Sequence, residues 1–172
     1  MVVVTGCGPE KHSAYKEATT EGPYLEAGGL KYQIQISREL NPALDEDKAY
    51  VHDLGPGVVP PAAGHEWFAV FMRVENDSKQ AALMASDFDI KDTLGNVYRP
   101  VAVKPANILS YQPKTLQPKD IYPNSQSAIG QSGPRRGAVI LFQINTSAYQ
   151  NRPLEMTIHA PDGDQARVSI DL

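Results

Sequence analysis

His65 and Glu66 begin a pattern that could do zinc chemistry, since zinc proteases carry two histidines in the motif His-Glu-x-x-His. The fifth position here is Ala69, and the surrounding residues alternate as in a strand, whereas that motif needs a helix. The sequence contains no Gly-x-Ser-x-Gly motif, and residues 130–133 read only Gly-Gln-Ser-Gly. The sequence therefore indicates no enzyme. A hydrolase whose Ser, His and Asp meet only in space stays open as an alternative.

Metal binding is a second chemistry to weigh. Acidic residues cluster at residues 45–47 and 162–164, in expected loops, and Asp87 and Asp89 share a strand face. Calcium prefers such oxygens, usually about six to eight of them, but neither cluster has the EF-hand spacing. Soft or borderline copper ligands are also present, at Met72, Met84, Met156, His65 and His159.

The positions of these soft ligands favour ordinary structural roles. Met72 and Met156 fall on the apolar faces of predicted strands, which favours core packing. His159 falls on the polar face of its strand, where a histidine is typically a surface residue. The sequence therefore assigns no metal ligand and no cofactor. Copper or calcium binding or delivery remains the alternative function.

Cys7 is the only cysteine of the 172 residues, so no intrachain disulfide can form. A free exposed thiol is a liability in an oxidising compartment, so Cys7 is either the thiol of a cytosolic protein or a modified residue. The run Val-Val-Thr-Gly-Cys at residues 3–7 resembles the end of a bacterial lipoprotein signal, whose cysteine is lipidated. Such a signal also needs a basic start and an apolar stretch of about 7–15 residues, so this interpretation requires an upstream part. We interpret Cys7 as a lipid attachment site.

Charge and hydropathy limit the classes of partner that can be expected. The net charge is −4 and 41% of the residues are hydrophobic, which suits one folded domain with a real core. A mildly acidic chain whose only adjacent basic pair is Arg135-Arg136 is a poor polyanion binder, so no nucleic-acid partner is expected. No apolar run reaches the roughly 18 residues of a membrane-spanning helix.

The elements that must position these residues are strands. Alternating or continuously apolar runs predict strands at residues 30–37, 65–76, 137–145, 154–160 and 165–172, and a hairpin at 87–100 with its turn at Gly95-Asn96. Leu30, Tyr32, Ile34 and Ile36 are expected on one face of the first strand. Residues 48–54 are a further possible strand, and a short helical turn is expected near residues 146–150. About seven or eight strands with turns between them predict an all-β, antiparallel β-sandwich.

Two parts of the chain lack such periodicity. Residues 8–29 are polar and aperiodic, so residues 1–29 are predicted to be a lipobox remnant and a disordered, flexible tether, and residues 30–172 the domain. Residues 55–64 and 100–123 are long connections, and the second contains five prolines. Long loops often carry function. We therefore predict that Tyr111 and Tyr122 are exposed aromatic anchors for a ligand.

The ordered set of segments resembles a family of immunoglobulin-like β-sandwich domains of unknown function. The most specific parts are Val-Glu-Asn at residues 74–76 and the stretch from Ser86-Asp87-Phe88 to Gly95-Asn96-Val97-Tyr98. The family occurs in secreted proteins and lipoproteins, mainly of Gram-positive bacteria, and is related in fold to the mycobacterial immunoprotective extracellular protein. Where the family usually has Pro-Gly, this chain has Pro123-Asn124. The likeness covers about residues 30–172.

This resemblance implies an immunoglobulin-like sandwich without an established catalytic motif, located outside the cytoplasm and often anchored by lipid. The expected function is a non-catalytic binding or structural module. Its expected partners are the membrane, through a lipid on Cys7, and a cell-surface protein or cell-wall component.

Overall fold

Apolar alternation produces the long strands of the fold, as the sequence predicts. The computed structural model describes residues 12–127, 129 and 137–170, which contain thirteen strands. The longer strands are β4 (Leu30–Leu40), β5 (His65–Glu75), β7 (Asp87–Lys91), β11 (Ala138–Asn145), β12 (Leu154–His159) and β13 (Gln165–Ile170). The shorter strands are β1 (Ala14–Tyr15), β2 (Glu17–Ala18), β3 (Tyr24–Ala27), β6 (Ala82–Leu83), β8 (Val97–Tyr98), β9 (Thr115–Leu116) and β10 (Ile121–Tyr122). A helical turn, α1, spans Asp45–Lys48, and a 3₁₀ helix spans Thr146–Gln150 as expected.

The strands form two main sheets that pack as a sandwich, which confirms the predicted all-β fold. The front sheet has the order β1-β3-β4-β5-β10, and β11 pairs with β5 as well. The back sheet has the order β2-β13-β12-β7-β8, and β6 and β9 form a separate ribbon. Most pairs are antiparallel, whereas β1 with β3 and β2 with β13 are parallel. Two successive antiparallel pairings, β4 with β5 and β5 with β11, make β5 a central strand, as predicted.

The main core lies between the two sheets. It holds large side chains that are almost completely buried, including Tyr32, Phe68, Met72, Phe88, Ile90, Phe142, Met156 and Ile158. Full burial of each such side chain stabilises the fold by about 1.5–3 kcal/mol. The expectation of core packing is confirmed for Met72 and Met156, which are both fully buried.

A second apolar cluster covers the outer face of the front sheet. Trp67, Ala69 and Phe71 alternate with the core residues of β5, so they point away from the back sheet. Side chains from two loops, including Val51, Leu54, Val58, Val101 and Val103, pack on them. The part of the front sheet around β5 and β11 is therefore buried on both faces, by strands on one side and by loops on the other.

A β-bulge places Ile36 differently from the prediction. The register between β4 and β5 shifts between Ile34 and Ile36. Ile34 lies in the core between the sheets, whereas Ile36 packs on the outer cluster. The single extra residue inverts the alternation, so the prediction that both isoleucines share one face is wrong.

Residues 12–29 are also not the predicted tether. They contribute β1 and β2 to the sheet edges and β3 to the front sheet, where Leu25 and Ala27 are fully buried. Asp164 fixes this segment to the turn between β12 and β13, because its side chain accepts the Gly28 N–H (3.1 Å) and pairs with Lys16. The domain therefore begins upstream of Leu30.

The predicted hairpin turn is confirmed, whereas one predicted strand does not form. The β7–β8 hairpin turns at Gly95 (φ 88°), and the Asp92 carboxylate accepts the N–H groups of Leu94 and Asn96 at 3.0 and 2.9 Å. Residues 48–54, however, form no strand. The end of α1 and an irregular segment occupy this stretch, and its pairing is limited to a bridge from Leu54 to Val103.

Candidate functional site

Two long loops meet along the outer edge of β11. We call residues 41–64 loop A and residues 99–114 loop B. Loop A reaches the edge where the Val59 carbonyl accepts the side-chain amide of Gln143 at 2.6 Å. The two loops also pair with each other, because the Gly55 N–H donates to the Ala102 carbonyl at 2.7 Å. The predicted functional loops are thus neighbours in space.

Loop B touches β11 at two points and leaves it between them. At one point the Val101 N–H donates to the Leu141 carbonyl (2.8 Å). At the other, the Tyr111 N–H donates to the Val139 carbonyl (2.8 Å). Between these contacts a groove of about 320 Å³ opens, bounded by residues 100–103, 110–113 and 139–141, with Ser86 and Phe88 on its remaining side. We call it the edge groove.

The edge groove is an uncharged environment. Its lining residues, all within the described part of the chain, include no Asp, Glu, His, Lys, Arg or Cys. Aliphatic side chains and prolines form most of it, and Ser86, Ser110 and Gln112 contribute polar groups. The Ser110 hydroxyl donates to the Asn107 carbonyl (2.7 Å) and accepts from the Gln112 amide (2.7 Å). Because no base lies in the lining, this hydroxyl is not activated as a nucleophile.

Tyr111 and Tyr122 are not the exposed anchors that the sequence predicts. Their rings meet edge to face at 5.7 Å, and the Tyr111 ring also packs edge to face on Phe88 at 5.4 Å. Tyr122 is only 8% exposed. Its hydroxyl accepts the Gln112 N–H at 2.8 Å. Because Gln112 lines the groove, this hydrogen bond ties the groove wall to the core. The predicted exposure is wrong because loop B returns to β11 and packs the Tyr111 ring against the core, while the pairing of β10 with β5 buries Tyr122.

Two tyrosine hydroxyls hold the buried backbone of Ala85 beside the groove. The Ala85 N–H donates to the Tyr32 hydroxyl (2.8 Å), and the Tyr111 hydroxyl donates to the Ala85 carbonyl (2.9 Å). Burial raises the pKa of Tyr32 to about 12 and that of Tyr111 well above its ordinary value of 10. Both phenols therefore stay protonated at every physiological pH.

Asn107, which sequence reasoning missed, joins the two loops. It is 2% exposed, and its side-chain amide donates to the His52 carbonyl at 3.0 Å and contacts the carbonyls of Ala49 and Tyr50 at 3.3 and 3.4 Å. Its side-chain oxygen accepts the Leu109 N–H at 3.0 Å. The only available signal was its position before an apolar pair in a proline-containing loop, which indicates a turn but not its partners.

The side chains considered as metal ligands have other partners. Asp47 forms a bidentate pair with Arg38, Asp164 pairs with Lys16, and the Asp89 carboxylate lies 2.5 Å from Nε2 of His159. Met72, Met84 and Met156 are in the core. Within residues 12–127, 129 and 137–170, no three His, Cys, Asp or Glu side chains are grouped to hold a metal ion.

Some predicted features lie outside the described residues. These are Cys7, the Arg135-Arg136 pair, and Ser132 in residues 130–133. In the part of the chain that the structure describes, no helix has the length and apolar character to span a bilayer.

Comparison with known proteins shows a shared fold. No protein-family model and no curated protein matches the chain. The crystal structure of the yjhA protein from Bacillus subtilis superposes with a TM-score of 0.54 at 10% identity, over 89% of this chain and 99% of that one. An uncharacterized beta-sandwich protein from Clostridium difficile 630 gives a TM-score of 0.48 at 11% identity, covering 95% and 100% of the two chains. A conserved hypothetical protein from Bacillus anthracis gives 0.46 at 10% identity, covering 87% and 94%. The similarity to the Bacillus subtilis protein concerns the fold and not a function.

Proposed function

We propose that this chain is a non-catalytic binding module whose edge groove holds an uncharged, apolar peptide segment. The observation that carries the proposal is a groove of about 320 Å³ beside a strand edge, whose described lining is mostly apolar and includes no Asp, Glu, His, Lys, Arg or Cys. Aliphatic walls favour apolar side chains, and a few polar groups at such a site can pair with the amides of an extended chain.

The side chains that line the edge groove argue against catalysis there. General acid–base catalysis needs a group that can exchange a proton near the operating pH. The ionisable side chain closest to that role is Tyr111, whose raised pKa and hydrogen bond to Ala85 keep it protonated. Rigid walls suit binding, because little ordering is needed when the ligand arrives.

Dye binding tests the groove directly. Nile red is uncharged and apolar and fluoresces when it leaves water. We expect saturable fluorescence with the wild-type protein. Ser86→Trp places a large side chain at the exposed border of the groove, and it should weaken dye binding by about tenfold or more. Ser13→Trp, at another exposed serine, is the matched control. Equal dye binding by Ser86→Trp and the control would contradict the proposal.

The second part of the proposal is location. We propose that a lipid on Cys7 holds the module outside a bacterial membrane, and the Val-Val-Thr-Gly-Cys sequence at residues 3–7 supports it. The test is the intact mass of membrane-fraction protein expressed with its natural upstream region in a bacterial host. A diacylglyceryl or triacyl mass on a chain that starts at Cys7, lost in Cys7→Ser, is expected. An unmodified cytosolic chain that retains Met1 would contradict it.

A further inference from the structure

A second groove lies at the end of the sandwich near β9 and β10. It has a volume of about 420 Å³, and we call it the polar groove. Its apolar lining residues are the buried Leu116 and the exposed Ile121. Its other lining residues are Lys114, Lys119, Asp120, Asn124 and Ser125, all of them exposed. Among the described residues of this surface, two lysines and one aspartate carry a formal charge of +1, although the whole chain carries −4.

Lys119 sits in a backbone conformation that lysine rarely adopts. Residues 117–120 form a four-residue turn closed by the Asp120 N–H on the Gln117 carbonyl at 3.0 Å. Pro118 is at its second position and Lys119, with φ 71°, is at its third. This is the arrangement of a type II turn, whose third position favours glycine. A lysine there is strained, and local strain that persists is often associated with function.

The turn is held firmly by a buried residue. The Lys119 N–H donates to the Asn76 carbonyl (2.7 Å), and the Asn76 N–H donates to the Asp120 carbonyl (2.9 Å). Asn76 is only 1% exposed, and its side-chain amide also donates to the Leu116 carbonyl (2.9 Å). The side chain of Lys119 therefore extends from a backbone that these hydrogen bonds hold in place.

Lys114 lines the same groove. Its Nζ lies 5.3 Å from the centre of the Tyr122 ring, an approach that suits a cation–π contact. Within the described part of the chain, neither Lys114 nor Lys119 forms an ion pair with a carboxylate. The Asp120 carboxylate already accepts the Gln117 N–H at 2.8 Å. Both ammonium groups are thus available to a ligand.

From this geometry we infer that the polar groove binds a phosphate group, with Lys114 and Lys119 as its cationic contacts. A tetrahedral oxyanion accepts several hydrogen bonds at once, and hydrogen bonds from charged donors to it are the stronger kind. The lysines supply two charged donors, and the Asn124 amide and Ser125 hydroxyl can supply neutral ones. This site is separate from the edge groove and does not depend on it.

The phosphate can belong to a small soluble compound or to a lipid headgroup, and one experiment with two arms separates these sources. In the first arm, amide NMR spectra of the full chain are titrated with inorganic phosphate and with glycerol 3-phosphate at low, constant ionic strength. In the second arm, the protein is sedimented with vesicles of phosphatidylglycerol or of phosphatidylcholine. Saturation in the first arm alone indicates a soluble phosphate. Retention on phosphatidylglycerol alone, lost when both lysines are replaced, indicates a lipid headgroup.

The variants distinguish a binding role from a structural one. Lys119→Gly should weaken binding by about 3- to 10-fold, as should Lys114→Gln, since each removes one charged contact. Lys119→Gly should also leave the melting temperature equal to or above that of the wild type, because glycine relieves the strained φ. Lys91→Gln, an equal charge change on another exposed lysine, should leave binding unchanged.

Several outcomes would overturn the inference. Absence of saturable shifts at residues 119–121 and 124–125, together with absence of retention on phosphatidylglycerol, would do so. So would an equal loss of binding in Lys91→Gln, since that would show a response to net charge alone.

Discussion

Replacing Tyr111 by phenylalanine should destabilise the protein although it removes a single oxygen atom. In the wild type that hydroxyl donates to the Ala85 carbonyl at 2.9 Å, and Ala85 is fully buried. The variant loses this hydrogen bond and leaves a buried carbonyl without its partner. Together these effects lower the free energy of unfolding by about 1–3 kcal/mol. For a chain of this length that is a decrease in melting temperature of about 3–9 °C.

Urea unfolding followed by circular dichroism measures this change, with Tyr15→Phe as the matched control. Tyr15 is 55% exposed, so its substitution should stay within about 0.5 kcal/mol of the wild type. If Tyr111→Phe is also within that range, the hydroxyl does not hold Ala85 and the described wall of the edge groove is wrong. An unchanged m-value would show that the effect arises in the folded state.

Three other perturbations test other parts of the structure. Raising the pH above 10 should lower stability, because burial raises the pKa of Tyr32 to about 12 and ionisation then favours the unfolded chain. Tyr32 contributes no change below about pH 9, and at pH 11 it alone contributes a loss of about 1.4 kcal/mol, measured by urea unfolding at each pH. Asn107→Ala should destabilise the folded protein by about 2–3 kcal/mol, and hydrogen exchange should show lost protection at the Leu109 N–H. An unchanged exchange rate would show that Asn107 does not join the loops. Gly55→Ala should destabilise by about 1–3 kcal/mol, because an added Cβ would lie 2.6 Å from the Ala102 Cβ; a melting temperature equal to that of the wild type would contradict this contact.

Strand positions could be predicted because they depend on local periodicity. The apolar runs that form β4, β5 and β11–β13 lie within a few residues of their predicted bounds, and Gly95 made the hairpin turn recognisable. The continuous apolar character of β5 also predicted a central strand. It did not reveal what covers its outer face, because the contacts of loops A and B are between residues far apart in sequence.

The errors share this physical origin. The two-residue strands β1 and β2 are too short to have a period, and only pairing with β3 and β13 defines them. The bulge near Ile36 depends on the register of β5, which the sequence of β4 does not contain. Tyr111 and Tyr122 lie in a stretch of high proline content, where exposure is the ordinary expectation. The return of loop B to β11 places Tyr111 against the core, and the pairing of β10 with β5 buries Tyr122.

The measurement that tests the proposed function most directly is a methyl NMR titration of the full chain with N-acetyl-leucine amide, an uncharged mimic of an apolar peptide residue. Occupation of the edge groove predicts saturable shifts of the methyl groups of Val101, Val103 and Ile140, which are among its lining residues. The same methyl groups in Ser86→Trp should show a weaker response. Shifts that are absent up to the solubility limit, or that are spread evenly over the methyl groups of the protein, would contradict the binding of an apolar segment in this groove.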